Sequence, residues 1–190
     1  MVPSKVRGIS LTEMMIVLSV AAILAVAAVP GIAQGIRHYQ ADSALETVLM
    51  QMRLARSMAV DQRLTYRLSF DPSGSIQLVR QDPTGDTVVN EIEIPAAVTF
   101  RLEPGVPVQG EQAPDGFSAD QPIDLNNGDV VWFRPDGSAI GADGRPCNGA
   151  VHLAVSGYPT TARAATLFGT TGRIRGWRFE PDAPGGGGWK

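Results

Sequence analysis

Three places in this 190-residue sequence hold residues whose types and spacing can do chemistry. The first is the C-terminal stretch Gly172-Arg173-Ile174-Arg175-Gly176-Trp177-Arg178-Phe179. On a strand Arg173 and Arg175 point the same way, with Trp177 next on that face. A bulge at Gly176 would bring Arg178 round to join them. Guanidinium groups in such a row bind phosphates through charge-assisted hydrogen bonds, and a nearby indole can stack on a base. Binding of that kind tolerates any base sequence and weakens with salt, so duplex DNA is the partner to consider. The second place is Glu13, the one ionisable residue in an apolar run from Ile9 to Ala33. A carboxylate in a membrane-crossing helix costs on the order of 2 to 3 kcal/mol, so it calls for a reason. The third is the Gly8–Ile9 bond, just after Lys5 and Arg7. Cleavage there would create an amine on Ile9, four residues from Glu13 and on the same helix face. An ammonium, from the same chain or from a neighbour in a bundle, makes a buried carboxylate tolerable.

Other chemistry finds no support. No Gly-rich phosphate loop opens a helix, because the four glycines at 185–188 lie at the chain end. Ser156-Gly157 and the scattered aspartates have no histidine placed by any motif. His38, His152 and Cys147 fall into no metal-ligand spacing, and a single cysteine permits no intramolecular disulfide. The expectation is a chain that is not an enzyme and that needs no cofactor and no metal. Net charge is −3, unevenly spread. From Asp71 to Asp143 there are thirteen acids and three arginines, whereas from Arg145 to Phe179 there are five arginines and no acid. An anion-binding surface on a mildly acidic protein is one reading; arginines that only solvate a strand, or pair with those acids, is the other. Arg145 and Arg163 would extend the patch if folding brought them near.

The elements that must position these residues follow from the pattern. At about 1.5 Å per residue, roughly 20 apolar residues span a bilayer core, and Ile9–Ala33 is long enough. Basic residues on its N-terminal flank keep that end cytoplasmic and send the rest outward. A cleaved secretory signal peptide, with small residues at Ala25 and Ala27, and a simple membrane anchor are the alternatives. Beyond Pro30, however, Ile32, Ile36, Tyr39, Leu45, Val48, Leu49, Met52, Ala55 and Ala59 recur at three- and four-residue spacing. One helix from about Leu11 to Gln62 is expected, bent or locally unwound at Pro30, whose apolar stripe needs a sheet to cover it. From Leu64 the period becomes two. Strands are expected at 64–70, 76–80, 88–94, 98–102, 130–133, 151–155, 165–168 and 173–179. The acid-, Pro- and Gly-rich segment 103–128 reads as a long exposed loop, and 181–190 as a flexible tail.

Gly8-Ile9-Ser10-Leu11-Thr12-Glu13 resembles the prepilin signal of type IV pilins and type II secretion pseudopilins. Those signals place Gly before the cut, a hydrophobic residue after it and Glu at the fifth mature position; Ile9 and Ser10 stand where Phe and an apolar residue are usual. Pro30 sits where pilin helices commonly carry a kinking proline. Ala55-Arg56-Ser57-Met58-Ala59-Val60, Val131-Trp132-Phe133-Arg134-Pro135-Asp136-Gly137 and Gly172-Arg173-Ile174-Arg175 resemble, in that order, segments of the FimT/GspH group. The resemblance implies a pilin-like α+β fold, a long N-terminal helix (transmembrane half plus amphipathic half) packed on antiparallel β-sheet. It implies a leader over 1–8, an anchor and assembly helix over 9–30, an amphipathic continuation over 31–63 and a β-rich periplasmic or extracellular domain over 64–180. Implied partners are prepilin peptidase, other pilins or pseudopilins in a filament, and the inner membrane. Ile9 is then the N-methylated residue and Glu13 the assembly carboxylate. The resemblance of Gly172-Arg173-Ile174-Arg175 to the GRxR motif of FimT-type minor pilins adds DNA contact by Arg173 and Arg175, beside which strand geometry sets Trp177 and, with a bulge, Arg178. A GspH-type pseudopilin without DNA binding, and a secreted globular protein, are the alternatives.

Overall fold

The computed structural model describes residues 10–126, 128–181 and 187–190, with the side chains of residues 26–30 outside that set. The leader, Gly8, Ile9, the Pro30 side chain and residues 182–186 therefore lie outside the described residues. The chain divides into two compact units, Met1–Ile36 and Arg37–Lys190.

Helix α1 runs from Leu11 to Gln62. It starts at Ser10, whose backbone N–H donates to Glu13 Oε2 at 3.0 Å. That is the returning half of a capping box, and it satisfies one donor that the first turn leaves orphaned. The helix continues through Pro30, so local unwinding there is ruled out. It ends where Arg63 adopts φ 56°, a left-handed residue that cannot prolong the α ladder. Among the described residues no helix is long and apolar enough to cross a membrane; the apolar run Ile9–Ala33 is described only in part.

Within Arg37–Lys190 the helix buries Ala41, Ala44, Leu45, Val48, Leu49, Met52, Ala55 and Ala59. The spacing of three and four puts these on one face, as amphipathic packing requires. Tyr39, expected on the same stripe, is 75% exposed, so the covered stripe begins at Ala41. Ile32 and Ile36, in the first unit, are also exposed.

Eleven strands follow among the described residues: β1 Thr65–Phe70, β2 Ser75–Asp82, β3 Gly85–Glu93, β4 Thr99–Phe100, β5 Ile123–Leu125, β6 Val130–Phe133, β7 Ala139–Ile140, β8 Asn148–Ala154, β9 Arg163–Phe168, β10 Arg173–Glu180 and β11 Gly188–Trp189. They form two sheets with antiparallel pairings, ordered β3-β2-β1-β6-β7 and β11-β10-β9-β8-β4, with β5 also on β8. Alternation in β1 puts Tyr66, Leu68 and Phe70 inside, and they share one core with the helix stripe and with Val151, Leu153, Ala165 and Leu167 of the second sheet. This is the α+β architecture of a long N-terminal helix on antiparallel sheet.

Two expectations need correction. Segment 103–128 is not an exposed loop. Glu103, Ala113, Pro114, Ala119, Ile123 and Leu125 are buried, and two short 3-10 turns, Gly110–Gln112 and Pro114–Gly116, sit within it. Strands β8 and β9 are buried at nearly every position, so both faces of that sheet must be covered. The helix covers one face, and this segment contributes to covering the other.

Nor is 181–190 free throughout. Trp189 pairs with Phe179 in the ladder, packs on the Phe179 and His152 rings at 5.7 Å each, and donates its indole N–H to Pro107 O at 2.7 Å. A large apolar side chain at the end of a glycine run outweighs the entropy that the run favours.

Candidate functional site

Strand β10 is held in register by β9 from Arg173↔Phe168 to Arg178↔Arg163, with no shift. Gly176 therefore carries no bulge, and alternation decides which side chains meet. Arg173, Arg175 and Trp177 share the outer face. Arg178 takes the helix face, where its guanidinium pairs with Asp42 at 3.0 Å. This corrects the expectation that Arg178 joins the other two. Glycine at 176 serves a different purpose: a Cβ there would meet Leu49 Cδ1 at 2.7 Å, so its absence lets α1 lie close on the strand.

Arg163 is buried, 1% exposed. It donates to Asp42 Oδ1 at 2.6 Å and to the carbonyls of Thr160 and Ala162 at 3.2 and 2.9 Å. Burial pulls its pKa down, and the Asp42 hydrogen bond partly offsets that. Arg163 ties helix to sheet and does not extend the outer patch. Arg145 lies in the turn closed by Gly141 N–H to Arg145 O.

On the outer face the two remaining arginines converge on one carboxylate. Arg173 Nη2 lies 3.3 Å and Arg175 Nη1 3.2 Å from Asp115 Oδ1. Asp115 is nearly buried, its side chain 9% exposed, while the arginine side chains are 47% and 51% exposed. The other oxygen, Oδ2, accepts the Thr166 hydroxyl at 2.5 Å, and Thr166 Oγ1 in turn accepts the Trp177 indole N–H at 3.0 Å. Donors and acceptors run in one direction, from indole to hydroxyl to carboxylate, so Asp115 is fixed from the sheet side. Arg173 also lies over the Phe168 ring at 5.6 Å, and Arg175 over Trp177 at 6.0 Å. Both are within the range of cation–π attraction. Chemically the cluster is a row of two half-exposed guanidinium groups with one internal counter-ion, beside an indole whose N–H is already used.

A turn before β10 presents Arg173. Gly172 has φ +63°, and a Cβ on it would stand 2.1 Å from Gly137 O and 2.5 Å from Arg56 Nε. Arg56 Nε donates to Gly137 O at 3.0 Å and its Nη2 to Thr171 O at 2.9 Å. The helix end, the Pro135-Asp136-Gly137 turn and the Gly172-Arg173 turn thus meet at one guanidinium. Sequence reasoning picked out all three segments but not their meeting point. It also missed Asp115 and Thr166, since nothing local marks Asp115 among thirteen acids over 71–143.

At the other end, the Glu13 carboxylate is exposed in the single chain and engaged only by the Ser10 N–H among the described residues. The prokaryotic N-terminal methylation motif matches residues 3–29, which enclose Gly8, Ile9 and Glu13. Among the solved structures that resemble this chain are a minor pseudopilin and a minor pilin. The minor pseudopilin EpsH from the type 2 secretion system of Vibrio cholerae has TM-score 0.49 and 11% identity, over 73% of this chain and 97% of EpsH. The type IV minor pilin FimU of Pseudomonas aeruginosa has TM-score 0.46 and 15% identity, over 70% and 85%. No curated protein matches this chain in sequence.

Proposed function

We propose that the chain is a minor pilin or pseudopilin subunit of the FimT/GspH type. Prepilin peptidase cuts after Gly8, Ile9 becomes the N-methylated first residue, and the helix that follows anchors the subunit in the inner membrane with its domain periplasmic. From there the subunit enters a type IV pilus or a type II secretion pseudopilus beside other pilins. The observation that carries the reading is the methylation motif over residues 3–29, with Glu13 as the single charge of the apolar run. Glu13 accepts from the Ser10 N–H in the single chain, and in the filament it takes an Ile9 amine as a stronger partner. Pro30 bends the helix without unwinding it. Its role is that of a structural subunit rather than an enzyme.

Replacing Gly8 with Leu leaves the precursor uncut; normal processing of that variant would refute the leader. Glu13→Ala is processed but enters filaments poorly, and wild-type incorporation would refute the pairing.

DNA capture belongs to this reading through Arg173 and Arg175, with Trp177 beside them. The full chain in detergent shifts duplex DNA at low salt, and the Arg173→Gln/Arg175→Gln double variant does not; equal binding by the double variant would remove it. One observation favours the alternative of a pseudopilin in protein secretion that binds no DNA: both arginines already contact Asp115.

A further inference from the structure

We infer that Asp115 is an internal counter-ion that sets how strongly the Arg173–Arg175 row holds a phosphate chain. The inference rests on the anion-binding reading of that row. The segment bearing Asp115 covers the sheet, and its carboxylate sits between the two guanidinium groups.

Two sets of contacts differ in strength. The bond from the Thr166 hydroxyl to Oδ2 is short, 2.5 Å, and Asp115 is 9% exposed. Asp115 therefore stays in place. Its contacts to Arg173 and Arg175, at 3.3 and 3.2 Å, are long for charge-assisted bonds, and both arginines are about half exposed. The arginine ends of both pairs face solvent, which screens the attraction, so either guanidinium is free to turn toward an incoming phosphate. The carboxylate cannot follow, and its negative charge remains beneath the row. Two positive charges and one negative leave a local charge of one, so the row releases about one counter-ion fewer than two bare arginines would.

The size of the effect follows from counter-ion release. Each additional effective charge steepens the dependence of log K on log salt by about 0.9, which at 0.1 M salt, relative to 1 M, is roughly eightfold in affinity. Asp115→Asn removes the charge and keeps the shape. Asparagine tolerates the left-handed backbone at this position (φ 52°) and still offers an oxygen to the Thr166 hydroxyl. Thr166→Val is the companion variant, since it loosens the carboxylate without changing its charge.

The test measures binding of the full chain in detergent to a fluorescent duplex and to tripolyphosphate, across a salt series. Asp115→Asn should bind the duplex roughly eightfold more tightly at 0.1 M salt, with a slope steeper by about 0.9, and should also bind tripolyphosphate more tightly, while Thr166→Val keeps the wild-type slope. If Arg173→Gln/Arg175→Gln weakens DNA binding but Asp115→Asn fails to tighten it, the counter-ion role is overturned and DNA capture stands. If the double arginine variant binds DNA like wild type while Asp115→Asn tightens tripolyphosphate, DNA capture fails and the counter-ion role stands. Equal affinity of Asp115→Asn and wild type for both probes overturns the inference.

Discussion

Gly172→Ala should unfold the chain far more readily than its chemistry alone implies. A left-handed backbone costs an L-residue about 1 to 2 kcal/mol, and Gly172 sits at φ +63°. The added Cβ would also stand 2.1 Å from Gly137 O and 2.5 Å from Arg56 Nε, separations that real contacts do not reach. One turn must move, and Arg56 then cannot keep both its bond to Gly137 O and its bond to Thr171 O. Losing one hydrogen bond from a charged donor removes about 1.5 to 3 kcal/mol. The expected total is roughly 3 to 4 kcal/mol, placing it among the large single-residue effects. Gly157→Ala isolates the contact, because Gly157 has φ +79° but nothing within 4 Å of its would-be Cβ. That variant should lose only about 1 kcal/mol. Urea unfolding of the full chain in detergent, followed by tryptophan fluorescence, gives both numbers. Equal losses for the two variants would refute the convergence of helix end, Gly137 turn and Gly172 turn on Arg56.

Three further outcomes are expected. Burial lowers the His152 pKa from 6.5 to about 4, so the unfolded chain binds the extra proton first and stability falls as pH drops below 6.5. Between pH 7 and pH 5 this group should cost about 2 kcal/mol, a slope that His152→Asn flattens in urea titrations at each pH. Burial pushes the Cys147 thiol up to about 12, so iodoacetamide at pH 8 should leave it unmodified in the folded chain and label it in urea. Asp42→Asn leaves the buried Arg163 charge without its carboxylate and should destabilise by about 3 kcal/mol in the same urea assay, whereas Glu111→Gln, at an exposed position of the Gly110–Gln112 turn, should change nothing measurable.

Much of the architecture could be read from periodicity. The part of the helix from Ala41 to Ala59 and the strand from Thr65 to Phe70 lie where periods of 3.6 and 2 place them, because each buries one face and turns the other toward solvent. What periodicity could not convey is what covers a sheet on its second side. Segment 103–128 has a loop's composition, yet Ala113, Pro114 and Ala119 are buried, and a few small apolar residues leave no periodic trace. Trp189 was hidden in the same way by the glycines before it.

The candidate site was half legible. Alternation put Arg173, Arg175 and Trp177 on one face, but the side taken by Arg178 depended on whether Gly176 was bulged, and only the pairing register decides that. Asp115 lies 58 residues before Arg173, and no local pattern distinguishes it from its acidic neighbours. Arg163 illustrates the reverse error. It belongs to the basic C-terminal run in sequence, but in the fold it is a buried tie to Asp42.

If the chain is made as a prepilin and enters a filament through its new N-terminus, as proposed, mass spectrometry of the mature chain from native membranes will find Ile9 as its first residue, bearing a methyl group. A chain that begins near Ala28, or that retains Met1–Gly8, would contradict the proposal.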